Sequence, residues 1–300
     1  MIKLEKKLIL FLEKHMILLA GLFLTGVAFL MRRQAIWYHS ADYISYFDMH
    51  ENNVQSALYY VLVRLAGYGF EIPLHGIKWL TVIADFVVAI LCVLFYGKEF
   101  GQLKGIAADK NVYEKIKGLF LYAGCLFAPV MYLRGCVWAQ VDSVALVFLI
   151  GAWYLSRGKG QQNAVGAAVL AGVGIAIYPC MIVPVAVFCI CGKGKLHRRE
   201  SGICLAAVIF AVLLEGISAE ALQMSWQQGI RSIYRWMSYN PHTGELYGSV
   251  SEWLWFMVLL NGCWIAFISG IAAFRKKLPY VLAVLMQLVV TVCYGMALQW

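Results

Sequence analysis

The sequence predicts an all-α, polytopic integral membrane protein with about seven full spans plus a short membrane hairpin. Three observations predict it. Of the 300 residues, 62% are hydrophobic and only 14% charged, and the mean hydropathy is +0.73, a balance foreign to soluble domains. Apolar runs close to the ~20 residues needed to cross about 30 Å of hydrocarbon recur from end to end. The alternating pattern of barrel strands is absent, and lipid then selects helices, which pair every backbone polar group within their own segment.

The apolar runs place spans over 16–31, 75–96, 118–133, 142–156, 202–217, 252–270 and 279–298. The first is a retained helix and not a signal peptide: Lys3, Lys6 and Lys7 precede it, but no small-residue cleavage site comes before Arg32 and Arg33. Basic residues set the orientation. With the N-terminus and residues 97–117, 157–163, 192–200 and 275–277 in the cytoplasm, 18 of the 25 Lys and Arg lie on that side. The net charge of +9 therefore reflects topology and contact with anionic lipid, and speaks against nucleic-acid binding. Conversely, 10 of the 16 Asp and Glu fall in spans or on the outer side, among them Asp42, Asp48, Asp85, Asp142 and Glu215.

Parity governs 164–191, which lies between two cytoplasmic basic loops and must enter and leave on one face. It is too short for two full spans, and Tyr178-Pro179 with Pro184 interrupts any helix in its middle. A hairpin turning within the membrane is the economical reading; two thin, tilted spans are the other. Residues 1–300 thus form one transmembrane domain with outer segments 32–72 and 218–251. Within the first, 54–67 has apolar residues at helical spacing and reads as an interfacial helix. The second carries Trp226, Arg231, Tyr234, Arg235, Trp236, Tyr239, Asn240 and His242, aromatic and cationic residues that also serve as ordinary headgroup anchors.

Several chemistries are excluded. The nine cysteines are scattered, seven of them in apolar runs, with no Cys-x-x-Cys pair and no histidine cluster, which leaves neither a zinc site nor a disulfide framework. No phosphate-binding glycine loop or serine elbow occurs. What stands out is the polar turn from Arg134 to Ser143, in which Gln140 and Asp142 immediately precede an apolar helix. Capping of that helix by Asp142 and Ser143 accounts for two of its residues but leaves Trp138 and Gln140 unexplained. Asp85, mid-span, is a second candidate, but a single buried acid often pairs with a Lys or Arg on a neighbouring helix, and its role stays open between the two.

The stretch Trp138-Ala139-Gln140-Val141-Asp142-Ser143, followed by an apolar helix and a glycine-rich hairpin ending in Pro179 and Pro184, resembles the bacterial mannosyltransferases related to GPI mannosyltransferase II, of the GT-C class. The layout of the N-terminal part is similar too: one helix, Arg32-Arg33, then an outer loop with Ser40-Ala41-Asp42-Tyr43, where GT-C enzymes carry an acidic motif. The resemblance covers roughly 30–190. This chain departs from it at Tyr178 and Cys180, where relatives often have Lys and Gln around the hairpin proline, and at Ala139, where they have Gly. It also has fewer spans than most relatives, as a short form would.

The resemblance implies an inverting transfer of a hexose, mannose by expectation, from a polyprenyl-phosphate donor to a glycan, lipid or protein acceptor at the outer face of a bacterial plasma membrane. Asp42 is then the base that takes the acceptor proton. Arg134, with Arg231 and Arg235, binds the donor phosphate, with Arg32 and Arg33 as further outer cations. Trp138, Gln140 and Asp142 bind substrate hydroxyls. No metal or other cofactor is indicated, although a divalent ion is compatible with the chemistry. Two other classes stay open: a transporter or lipid flippase, which would also use a broken hairpin with Asp85 and Glu215, and a non-catalytic subunit of an envelope-glycan assembly.

Overall fold

A computed structural model describes residues 2–37, 56–100, 108–137, 139–156, 158, 160–185, 195–227 and 248. The predicted spans 252–270 and 279–298, the part of the hairpin beyond 185, residues 38–55 of the outer segment 32–72 and most of the outer segment 218–251 lie outside the described residues. Among the described residues every regular element is helical: α1 (Ile2–Ile36), α2 (Ala57–Gly67), α3 (Pro73–Phe100), α4 (Ala108–Leu126), α5 (Pro129–Tyr132), α6 (Asp142–Ser156), α7 (Gln161–Ile177) and α8 (Lys195–Ala221). A π-helical turn, Leu133–Val137, joins α5 to the segment before α6, and a 3-10 turn, Pro179–Met181, follows α7. Among the described residues, three helical stretches are long and apolar enough to cross a membrane: His15–Ile36, Leu74–Leu94 and Ser201–Ala221.

Local chemistry explains the boundaries. Proline suits the first helical position, where its missing N–H costs nothing, and α3 opens on Pro73. The residue before a proline is pushed out of the helical region, and α7 accordingly stops at Tyr178, whose backbone is extended before Pro179. Ser56 caps α2: its Oγ accepts from the Tyr59 amide at 3.1 Å. The predicted span 118–133 is corrected to two pieces. Pro129 cannot continue the helix of α4, so the chain breaks at Phe127–Ala128 and restarts as α5.

The core lies between α3, α6, α7 and α8, with α2 laid against α3 and α8. Without a hydrophobic drive between helices in lipid, close packing of small residues holds them together. Ala145 of α6, Ala171 and Gly172 of α7, and Ala207 and Ala211 of α8 line this contact; a Cβ at Gly172 would come within 2.8 Å of the Ala207 carbonyl. The α2–α3 crossing is tighter still, since a Cβ at Gly76 would overlap the Ala66 carbonyl and stand 2.9 Å from Gly67 Cα. After α8 the chain folds back through Gln223, in the left-handed region at φ 60°, and sets the Trp226 ring on Gly216 with its indole N–H on Glu220.

Helix α1 stands at the side of this core. Its buried residues Ala28, Arg32 and Ala35 fall at i, i+4 and i+7, one face of the helix, while Leu22, Phe23 and Leu30 point away from the protein. The structure thereby corrects the reading of Arg32 as an outer-surface cation. It sits within α1, 1% exposed.

Candidate functional site

The turn from Arg134 to Ser143 folds around a buried charge pair. The π-helical turn carries Arg134 inward, where its guanidinium is ion-paired with Asp142 in the first turn of α6. Arg134 Nη2 also donates to Tyr178 Oη at 2.9 Å, and the guanidinium stands over the Tyr178 ring, 5.9 Å from its centroid. Backbone bonds close the turn: the Gln140 amide donates to the Arg134 carbonyl at 2.8 Å and the Ala139 amide to the Gly135 carbonyl at 3.1 Å. Arg134 is 5% exposed and Asp142 1%, so each charge depends on the other for its stability in a low-dielectric setting.

The helix-capping expectation is corrected in part. The Val141 carbonyl accepts the first helical bond, from the Ala145 amide at 3.0 Å, which places Asp142 one residue inside α6. Its charge still suits the positive end of that helix, but its carboxylate goes to Arg134. Ser143 Oγ turns to α3 and donates to the Thr81 carbonyl at 3.5 Å.

Ala139 occupies the left-handed region, φ 56°, a conformation that costs an L-residue roughly 1–2 kcal/mol and glycine almost nothing. Ala139→Gly is therefore expected to raise folding stability by about 1 kcal/mol, read as a shift in the detergent-solubilised unfolding midpoint. A fall in that midpoint would show that the Ala139 methyl, fully buried, contributes more by packing than it costs in strain.

A second buried pair lies alongside. Arg32 Nε meets Asp85 Oδ2 at 3.0 Å, Arg32 Nη2 donates to the Leu126 carbonyl at 2.7 Å, and Phe86 lies under the guanidinium at 5.7 Å. The Leu126 carbonyl is one that the break before Pro129 releases from helical bonding. A Cβ added at Gly135 would stand 3.4 Å from Thr81 Cβ and 3.5 Å from Asp85 Oδ2, so the turn passes close to α3. Lys78, also on α3, reaches the Ala35 carbonyl at 3.3 Å.

Glu215 of α8 forms a third polar centre. Fully buried, it accepts from the Ala57 amide at 2.8 Å and the Leu58 amide at 3.4 Å, the first turn of α2. Ser56 Oγ donates to the Ile177 carbonyl at 3.2 Å, next to Tyr178.

Of the expected site residues, the structure brings together Arg134 and Asp142, with Gln140 half-buried on the same turn. Asp42, Trp138, Arg231 and Arg235 lie outside the described residues. Sequence reading missed Tyr178 as a partner of Arg134; its place directly before the helix-breaking proline is the one signal that marks it. Among the described residues no group of three or more His, Cys, Asp and Glu is placed to hold a metal ion, and Cys92, Cys125, Cys136, Cys180 and Cys204 are free thiols. No family model matches the chain, and neither a curated protein nor a solved structure matches it.

Proposed function

We propose that this protein is an inverting GT-C-type glycosyltransferase of the bacterial plasma membrane, with its N-terminus cytoplasmic, moving a hexose from a polyprenyl-phosphate donor to an acceptor hydroxyl at the outer face. The observation that carries this reading is the Arg134–Ser143 turn. The Ala139–Ser143 stretch, which follows Trp138 in the sequence, lies beside a buried Arg134–Asp142 pair, with a left-handed backbone at Ala139, the position where the resembling enzymes have glycine.

In this reading the acceptor oxygen attacks the anomeric carbon, Asp42 takes its proton, and the sugar–phosphate C–O bond breaks with its electron pair leaving on the phosphate. Charge developing there is stabilised by cations held ready in place. Arg134 is ion-paired with Asp142 and buried, so its charge is offset and its part is to hold the turn in shape, not to act as a mobile clamp. Arg231 and Arg235 supply the direct phosphate contacts. Asp142 orients Arg134, which leaves Trp138 and Gln140 to meet the sugar or acceptor.

The test is transfer from radiolabelled polyprenyl-phosphate sugars in membranes containing this chain, wild type against Asp42→Asn at equal expression. The substitution removes the proton acceptor and nearly preserves shape, so transfer is expected to fall by about 100-fold or more. Wild-type membranes inert with every donor would favour the transporter reading. One observation supports that second reading: Asp85, paired with Arg32, lies near the middle of the Leu74–Leu94 stretch, where ionisable residues often mark transport paths.

A further inference from the structure

We infer that Glu215 is a positioning residue that, with Ser56, locks α2 onto the end of α7 and thereby sets the Arg134–Asp142 turn. The chain of contacts is continuous. The Glu215 carboxylate holds the Ala57 and Leu58 amides, two of the donors a helix start leaves unpaired. Ser56 has two tasks, accepting from the Tyr59 amide at 3.1 Å and donating to the Ile177 carbonyl. The next residue, Tyr178, holds Arg134 through its hydroxyl, and Arg134 holds Asp142.

Two features set this apart from ordinary capping. A surface helix is capped by its own N-terminal residue, and Ser56 already supplies that. A fully buried carboxylate brought from α8, 158 residues away, is a costly second cap whose effect is to tie three helices at one point. The role in transfer rests on the glycosyltransferase reading; the mechanical link does not.

Amide hydrogen exchange on the full-length protein in nanodiscs separates the two. In Glu215→Ala, exchange is expected to quicken by about tenfold or more at Ala57 and Leu58, and also at Ala139 and Gln140 of the turn, while amides of α3 around Val88 hold their rates. Glu215→Gln keeps one acceptor oxygen and is expected to show the same pattern in smaller degree, which preserves the test if the alanine variant does not fold. Unchanged exchange at Ala139 and Gln140 beside faster exchange at Ala57 would overturn the link to the turn. In the transfer assay kcat is expected to fall about tenfold in Glu215→Gln with donor KM within about twofold. Loosened amides with an unchanged kcat would reduce Glu215 to a structural cap. Wild-type protein inert with all donors would remove the glycosyltransferase reading and leave the exchange result to decide the link alone.

Discussion

Asp142→Asn is expected to lower folding stability by about 3–5 kcal/mol, because it leaves the Arg134 guanidinium charged in a buried site with its counter-ion gone. The Arg134 side chain is held from two sides, by Asp142 and by Tyr178, and the tyrosine alone supplies no negative charge. Unfolding of detergent-solubilised protein followed by tryptophan fluorescence measures the loss. The control is the double variant Arg134→Met with Asp142→Leu, which removes both charges at once. Apolar replacement of a whole buried pair is often neutral; allowing for the Tyr178 hydroxyl that loses its donor, the double variant is expected within about 2 kcal/mol of wild type. A double variant as unstable as Asp142→Asn would show that shape, not charge, holds the turn. Sugar transfer is expected to be lost in both variants, so recovered stability without recovered activity would separate the two roles of the pair.

Gly76→Ala is the second large effect expected. The added methyl would overlap the Ala66 carbonyl and crowd Gly67 Cα, and both obstacles are backbone, which cannot rotate away as a side chain does. Helices α2 and α3 must separate, at a cost of about 3 kcal/mol or more. Gly124→Ala on α4 is the matched control, with nothing within 4 Å of its added Cβ, and is expected to leave stability unchanged or raise it by up to about 1 kcal/mol, since alanine favours a helix over glycine. Equal midpoints for the two variants would mean that the close crossing of α2 and α3 does not persist in the folded protein. Loosening of α2 in Gly76→Ala should also quicken exchange at Ala57 and Leu58, since both amides depend on Glu215 staying in reach.

Features that depend on neighbours in the chain were legible in the sequence. The bounds predicted for the apolar run 142–156 are those of α6, a helix shorter than the three able to cross a membrane, and the apolar spacing of 54–67 marks α2, trimmed by its Ser56 cap. The break at Tyr178-Pro179 follows from the proline ring alone. The same rule applied to Pro129 would have divided the predicted span 118–133, but hydropathy averages over a run and passes across a single proline.

Composition and apolar length by themselves determined that this is a helical protein suited to lipid, because the cost of unpaired backbone groups in hydrocarbon acts on each segment separately. Partnership was decided only by the tertiary structure. Arg32 finds Asp85 across 53 residues, Arg134 finds Tyr178 across 44, and Glu215 finds α2 across 158. Residue spacing does not encode such pairings, since which buried charge meets which depends on how the helices pack. A cation that hydropathy assigns to the membrane surface can therefore end up in the core, provided packing brings a carboxylate to meet it.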